Sequence, residues 1–261
     1  MGGPAFALRV IVTALRLQLA LLRIEGILFV VVIGPVVYTI LLVLVIQHAG
    51  RTDLAPYAVI GPAFLGAWST AISISGNVVT EDRGAGTFEL LFTAPAGAWL
   101  VFLGRVIGTS LLSLIAVVET VLVARLLGVT LELRDPTLFA VALSASLAAV
   151  AGVGLITAGT FVLARSSRLF TNVLTFPLVI LSGAAFPIAL LPEPAQWLSN
   201  LVALKWGADL LHAAVGSREA NVAVALPMMA LLTASYVLIG RGVFRVVERR
   251  VRADGSLASY E

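Results

Sequence analysis

Between two long apolar runs of this sequence lies a segment that hydrocarbon cannot hold. Residues 80–95 read Thr-Glu-Asp-Arg-Gly-Ala-Gly-Thr-Phe-Glu-Leu-Leu-Phe-Thr-Ala-Pro, with charges at Glu81, Asp82, Arg83 and Glu89 and glycines at Gly84 and Gly86. The flanking runs are nearly free of charge. The chain must therefore fold as apolar elements in a bilayer with this arm hung outside them. Its composition agrees: of 261 residues, 60% are hydrophobic and 12% charged, with mean hydropathy +1.06. A soluble domain is about 25% charged and about 45–50% apolar. At about 20 residues per span, the length allows several helices and short loops, and no large soluble domain.

Six spans are predicted, at roughly 26–47, 54–79, 98–127, 137–164, 169–189 and 220–243. Residues 1–25 are expected to behave differently. Arg9, Thr13, Arg16 and Arg23 fall at i, i+4, i+7 and i+14, one face of a helix. Spanning would cost about 2.5–3.5 kcal/mol for each arginine near the bilayer centre, against about 0.3–0.6 kcal/mol gained per strong apolar residue. The segment is expected to lie in the interface as an amphipathic helix, its arginines toward headgroups. It lacks the short apolar core and small-residue cleavage site of a signal peptide.

The basic balance, an isoelectric point of 9.8, comes almost wholly from arginine, and Lys205 is the only lysine. Arginines beside apolar spans point to membrane topology rather than to nucleic acid. With the N-terminus inside, the cytoplasmic flanks carry Arg9, Arg16, Arg23, Arg83, Arg105, Arg165, Arg168, Arg241, Arg245, Arg249, Arg250 and Arg252. The outer loops carry only Arg51, Arg134, Lys205 and Arg218. Both termini are therefore expected in the cytoplasm. The Ala/Val/Leu/Arg-rich, Lys-poor usage suggests a bacterial, GC-rich genome, hence the bacterial cytoplasmic (inner) membrane.

The connection after the fifth span holds a further apolar stretch, 196–215, with Lys205, Asp209 and His212 at i, i+4 and i+7. Crossing the membrane would bury three ionisable groups, so an outer-leaflet or re-entrant helix is expected within 190–216. A seventh span there would also move the C-terminal arginines outside. Residues 246–261 read as a polar, frayed cytoplasmic tail.

Enzyme signatures are absent. No G-x-x-x-x-G-K-[ST] loop occurs, so the chain has no Walker motif of its own. The lone G-x-G at Gly84 and Gly86 lacks a strand and a third glycine. Without cysteine there are no disulfides, thiolate metal sites or Cys nucleophile. His48 and His212 are the only histidines, read as interfacial side chains near the outer surface, and no set of ligands has metal spacing.

The arm is the main functional candidate. Thr87 is suited to cap a short helix with Glu89 in its first turn. Phe88, Leu91 and Phe92 then form one small apolar face, and Pro95 stops the helix. Such a knob fits a groove on another protein. The bland alternative is a helix lying on lipid, which would hold Glu81, Asp82 and Glu89 beside anionic headgroups.

Two motifs resemble the type-2 ABC transporter permeases, the drug- and antibiotic-exporter-like transmembrane subunits. One is the arm followed by Gly104-Arg105. The other is Ser182-Gly183-Ala184-Ala185-Phe186-Pro187, then Leu191-Pro192 and Trp197-Leu198. Two departures stand out: the outer helix lacks an Asn-Pro, and the arm has Arg83-Gly84-Ala85-Gly86-Thr87 in place of the commoner Arg/Lys-Glu-x-Gly-Thr. The resemblance implies an all-α polytopic fold: an interfacial helix at 1–25, a six-span domain over 26–245, a coupling helix at 80–95 between spans 2 and 3, and a tail at 246–261. It implies a second permease subunit, identical or homologous, and two copies of an ABC ATPase subunit that carry ATP and Mg. This chain itself binds no cofactor and is no enzyme alone. Coupling would fall to Glu81, Asp82, Arg83, Gly86, Thr87, Phe88, Glu89, Leu90, Leu91 and Phe92.

In such permeases spans 2 and 5 face the central axis. Polar positions there include Ser69, Thr70, Ser73, Ser75 and Asn77, then Asn172, Thr175 and Ser182. Hydroxyls and amides in spans more often serve helix packing than ligands. Pro177 is expected to kink span 5. Glu119 is costly within span 3. Arg125 is i+6 from it and off its face, so a partner on another helix, or a cation or proton contact on the path, is expected. The cargo implied is a small amphipathic compound: a drug, antibiotic or lipid-like molecule. Alternatives are a polysaccharide or lipid-linked glycan exporter, a secondary transporter or channel without an ATPase, and a non-transporting assembly or sensor subunit.

Overall fold

A computed structural model of the chain describes residues 4–21, 32–84, 98–163 and 177–254, and all regular structure among them is helical. The helices are α1 (Pro4–Leu21), α2 (Gly34–His48), α3 (Tyr57–Gly84), α4 (Ala98–Leu112), α5 (Leu114–Leu126), α6 (Pro136–Leu163), α7 (Glu193–Ser199), α8 (Ala203–Ala214) and α9 (Val222–Asp254). A further turn and a half of helix covers 177–182. Among the described residues, Ala98–Leu126, Pro136–Val162 and Val222–Arg249 are long and apolar enough to cross a membrane, and Gly34–His48 is a shorter apolar helix. α3 has 28 residues, about 42 Å at 1.5 Å per residue.

The expected third span is two helices. α4 stops at Leu112 and α5 starts at Leu114, with Ser113 between them in a turn. Three buried hydroxyls cluster at this break. Thr109 and Ser110 donate to the Val106 carbonyl at 2.8 and 2.9 Å, and Ser113 donates to the Ser110 carbonyl at 2.5 Å. Such back-bonding competes with the backbone ladder and bends helices, and hydropathy averaging cannot see it.

α6 is the hub. It packs on α3, α4, α8 and α9, and its residues Ala142, Ala149 and Val150 are buried with Phe64 and Trp68 of α3 and Leu210 and Met229 of α8 and α9. With apolar side chains on both sides of the lipid boundary, close backbone approach replaces hydrophobic segregation as the driving force. At Gly66 a Cβ would stand 2.5 Å from Pro35 Cγ of α2, and at Gly104 one would stand 2.6 Å from the Ile11 carbonyl oxygen of α1. Glycines thus set where α2 meets α3 and α1 meets α4. Leu41, Val45, Leu122, Leu126, Leu231 and Leu238 point outward, as lipid-facing side chains do.

α9 does not end near residue 243. It runs to Asp254, and Val247 in the stretch expected to fray is 1% exposed. Phe244 and Val247 pack with Ala98, Phe102 and Val162 in a second cluster, which is the reason the polar C-terminal stretch stays helical.

Candidate functional site

The arm enters from α3 and leaves into α4. Glu81, Asp82 and Arg83 fall in the last helical turn of α3. Gly86, Thr87, Phe88, Glu89, Leu90, Leu91 and Phe92, with the rest of 85–97, lie outside the described residues, as do Asn172 and Thr175. α4 takes up the chain again at Ala98. Ala98 is fully buried, and its N–H donates to Glu248 Oε1 of α9 at 3.2 Å. The first turn of a helix leaves N–H groups without intrahelical partners, and a buried one needs an acceptor. A carboxylate also complements the positive end of the helix. One turn earlier on α9, Phe244 packs on Phe102 with ring centroids 4.9 Å apart, and about two turns earlier the Arg241 guanidinium sits 4.9 Å from the Trp99 ring centre. Arg105, next to Gly104, is 2% exposed. Arg9, Thr13 and Arg16 of α1 are exposed, while Ala14 turns onto α4 at Gly104.

The end of the bundle away from Ala98 is organised by the segment expected as a single helix at 196–215. It is two helices, α7 and α8, parted at Asn200–Val202. The Tyr236 hydroxyl of α9 donates to the Leu201 carbonyl at 2.9 Å and accepts the Ala203 N–H at 3.2 Å, which caps α8. Tyr236 stands fourteen residues beyond Val222, about 21 Å along the axis. The far end of α8 meets the start of α6, where Arg134 and Asp135 N–H groups donate to the Ala214 carbonyl at 2.9 and 3.0 Å. α8 thus climbs along α9 to the loop before α6. Gly207 lets it pass against Ser146 of α6, whose Oγ would collide with a Cβ there.

The three ionisable groups of α8 are all accommodated. Asp209 pairs with Lys205 at 3.1 Å and with Arg218 at 3.0 Å, and Lys205 Nζ also lies 3.6 Å from the Trp206 ring centre. His212 corrects the sequence reading. It is not an interfacial side chain: it is 1% exposed and lies against Tyr57 of α3, ring centres 4.1 Å apart. Its Nδ1 is 2.9 Å from Ser217 Oγ, which donates to the His212 carbonyl at 3.0 Å. Burial, helped by positive Arg218 and opposed by the Ala184 carbonyl, pushes its pKa down to about 4. The ring is neutral at pH 7. The turn facing it is built on Gly183, whose φ of 65° suits only glycine without strain. Ser182, expected on the substrate path, closes that turn instead of standing free: its Oγ donates to the Val179 carbonyl at 2.6 Å and accepts the Ala184 N–H at 3.3 Å.

The remaining intramembrane polar positions divide. Ser69 donates to the Gly66 carbonyl at 3.1 Å. Thr70 is fully buried, and its hydroxyl has no hydrogen-bond partner among the described residues. Ser73 and Asn77 lie on α3. Glu119 on α5 is half-buried, and its Oε2 is buried without a hydrogen-bond partner. The expected partner on another helix is not found among the described residues. No group of three or more His, Asp or Glu that could hold a metal occurs among the described residues either.

The described residues form a bundle of long apolar helices, three of its stretches long and apolar enough to cross a membrane, with the helix pair α7 and α8 packed beside them. The family model for ABC-2 type transporters matches residues 9–215, so the chain belongs to that family and is the permease component of an ABC transporter. No curated protein matches it.

Proposed function

We propose that this chain is the transmembrane half of an ATP-driven exporter that moves a small amphipathic compound across a bacterial cytoplasmic membrane. The observation that carries this reading is the family match, which spans both the 80–95 arm and the paired outer helices. Six spans are read, with both termini inside by the arginine bias. α7 and α8 are read as a re-entrant pair; the depth of Tyr236 along α9 and the internal pairing of Lys205 and Asp209 support this. In this reading Glu81 to Phe92 dock in a groove on a separate ATPase subunit, two copies per complex, where ATP and Mg are held. A second permease subunit completes the pathway, and the arm carries ATPase closure to the membrane helices. Ser69, Ser73, Asn77, Asn172 and Thr175 border the path, and Glu119 offers it a carboxylate.

Purification from native membranes tests the reading. An ATPase subunit is expected to copurify with the wild type and to be lost with Phe88→Asp, which places a charge on the knob. Undiminished transport by the purified chain with no ATPase present would sink it and favour a secondary transporter centred on Glu119.

A further inference from the structure

α9 reaches about 11 residues past the end of the predicted last span, from 243 to Asp254, about 16 Å of helix. It does not project freely. Phe244 and Val247 are 0% and 1% exposed, and both pack against Phe102 and Ala98 at the start of α4. Glu248 accepts the buried Ala98 N–H at 3.2 Å, and Arg241 covers Trp99. The other side of α4 is held by α1 at Gly104. Ala98 is the first described residue after the arm. A push on the arm therefore meets a first turn of α4 that is already fixed to the last helix of the chain.

We propose that Glu248 is a positioning residue that locks the first turn of α4 to the inward end of α9, so that displacement of the arm is delivered to α4 and α9 as one rigid body. This rests on the reading of 80–95 as the coupling element. The lock is polar and directional, which apolar packing alone is not: a carboxylate on a helix N-terminal N–H fixes the rotation of α9 about its axis as well as its distance from α4. The exposed face of α9 at the same level, Arg245, Val246 and Arg249, takes no part in it.

The test uses the complete complex in liposomes, with transport and ATP hydrolysis measured together. Glu248→Ala is expected to leave the ATPase subunit bound and hydrolysing while transport per ATP falls about tenfold, the order set by one charge-assisted hydrogen bond. Glu248→Gln, whose amide oxygen still accepts the N–H, is expected to restore it. Equal transport per ATP in wild type and Glu248→Ala overturns the proposal. Absence of any ATPase in the wild-type complex instead overturns the underlying reading of the arm. A second measurement needs no loss of function. The chain has no cysteine, so Trp99→Cys with Arg241→Cys provides its only thiols, and the link is read on this chain after separation from its partner subunits. Joining the two thiols with a short bifunctional thiol reagent is expected to leave turnover intact, because the two ends move together. Turnover blocked by the link and recovered on reduction shows that they must separate, and rejects the rigid body.

Discussion

Asp135 accepts the Leu138 N–H at 2.9 Å and so caps α6 just ahead of Pro136. That bond, with a second from Thr137, holds its carboxyl below the ordinary range of 3.8. The folded pKa lies under the unfolded one, so the cap is fully present above pH 3.8 and is lost as pH falls through the lower folded value. Asp135→Ala is expected to lower Tm at neutral pH and Asp135→Asn to leave it nearly unchanged. His212 titrates with the opposite charge. Its pKa of about 4 lies below the ordinary 6.5, so the unfolded chain binds the proton first. Stability is complete above pH 6.5 and declines as pH falls toward 4. At about 1.4 kcal/mol per tenfold change in proton affinity, the loss is on the order of 3 kcal/mol. Thermal unfolding between pH 7 and 4 should show it in the wild type, and His212→Asn should flatten the profile. The two roles differ in how far their neighbours in sequence reveal them. The Asp-Pro pair is a readable helix start, but the burial of His212 depends on Tyr57 of α3, distant in the chain.

At the scale of elements, two contacts decide how the helices sit. Tyr236 caps α8 from α9. Tyr236→Phe keeps the ring but strands the N–H of Ala203, a residue with 0% exposure, at a cost of about 1–3 kcal/mol. The expected outcome is a lower Tm and faster amide exchange at the start of α8. Gly104 sets the approach of α1. A Cβ there would press on the Ile11 carbonyl and on Ala14 Cβ, at 2.6 and 2.8 Å, so Gly104→Val should push α1 away and cost about 1–3 kcal/mol. A thiol placed at Ala14, buried in the wild-type fold, should become open to labelling in that variant and stay protected without it. The helical pattern of Arg9, Thr13 and Arg16 was readable, and those side chains are exposed. That α1 rests on α4 was not, because a helix face that avoids water does not name the surface it meets.

For the whole molecule, the side-chain contacts between helices gather at two opposite ends of the bundle. One end holds the first turn of α4 and the extension of α9; the other holds α7, α8, the Gly183 turn and Tyr57. α6 touches both assemblies, through α4 and α9 at one end and through α8 at the other. The break at Ser113 divides the apolar stretch Ala98–Leu126. Removing the hydroxyls that hold it, with Ser110→Ala and Ser113→Ala together, should let α4 and α5 run on as a straighter helix. The expected outcome is normal ATPase binding with reduced transport, read by comparing copurification with flux.

Amino-acid order alone determined that this chain is helical and membrane-embedded and which family the chain belongs to. Transfer free energy is a sum over a local segment, and the motifs are local as well, so both are written along the chain. Tertiary structure decided the rest: the split of span 3 at Ser113, the division of the outer stretch into α7 and α8, the burial of His212 and the hold of Glu248 on Ala98. These depend on which helix faces which. In a chain whose faces are nearly all apolar, that choice rests on close packing at glycines and on single hydrogen bonds between residues as far apart as 98 and 248.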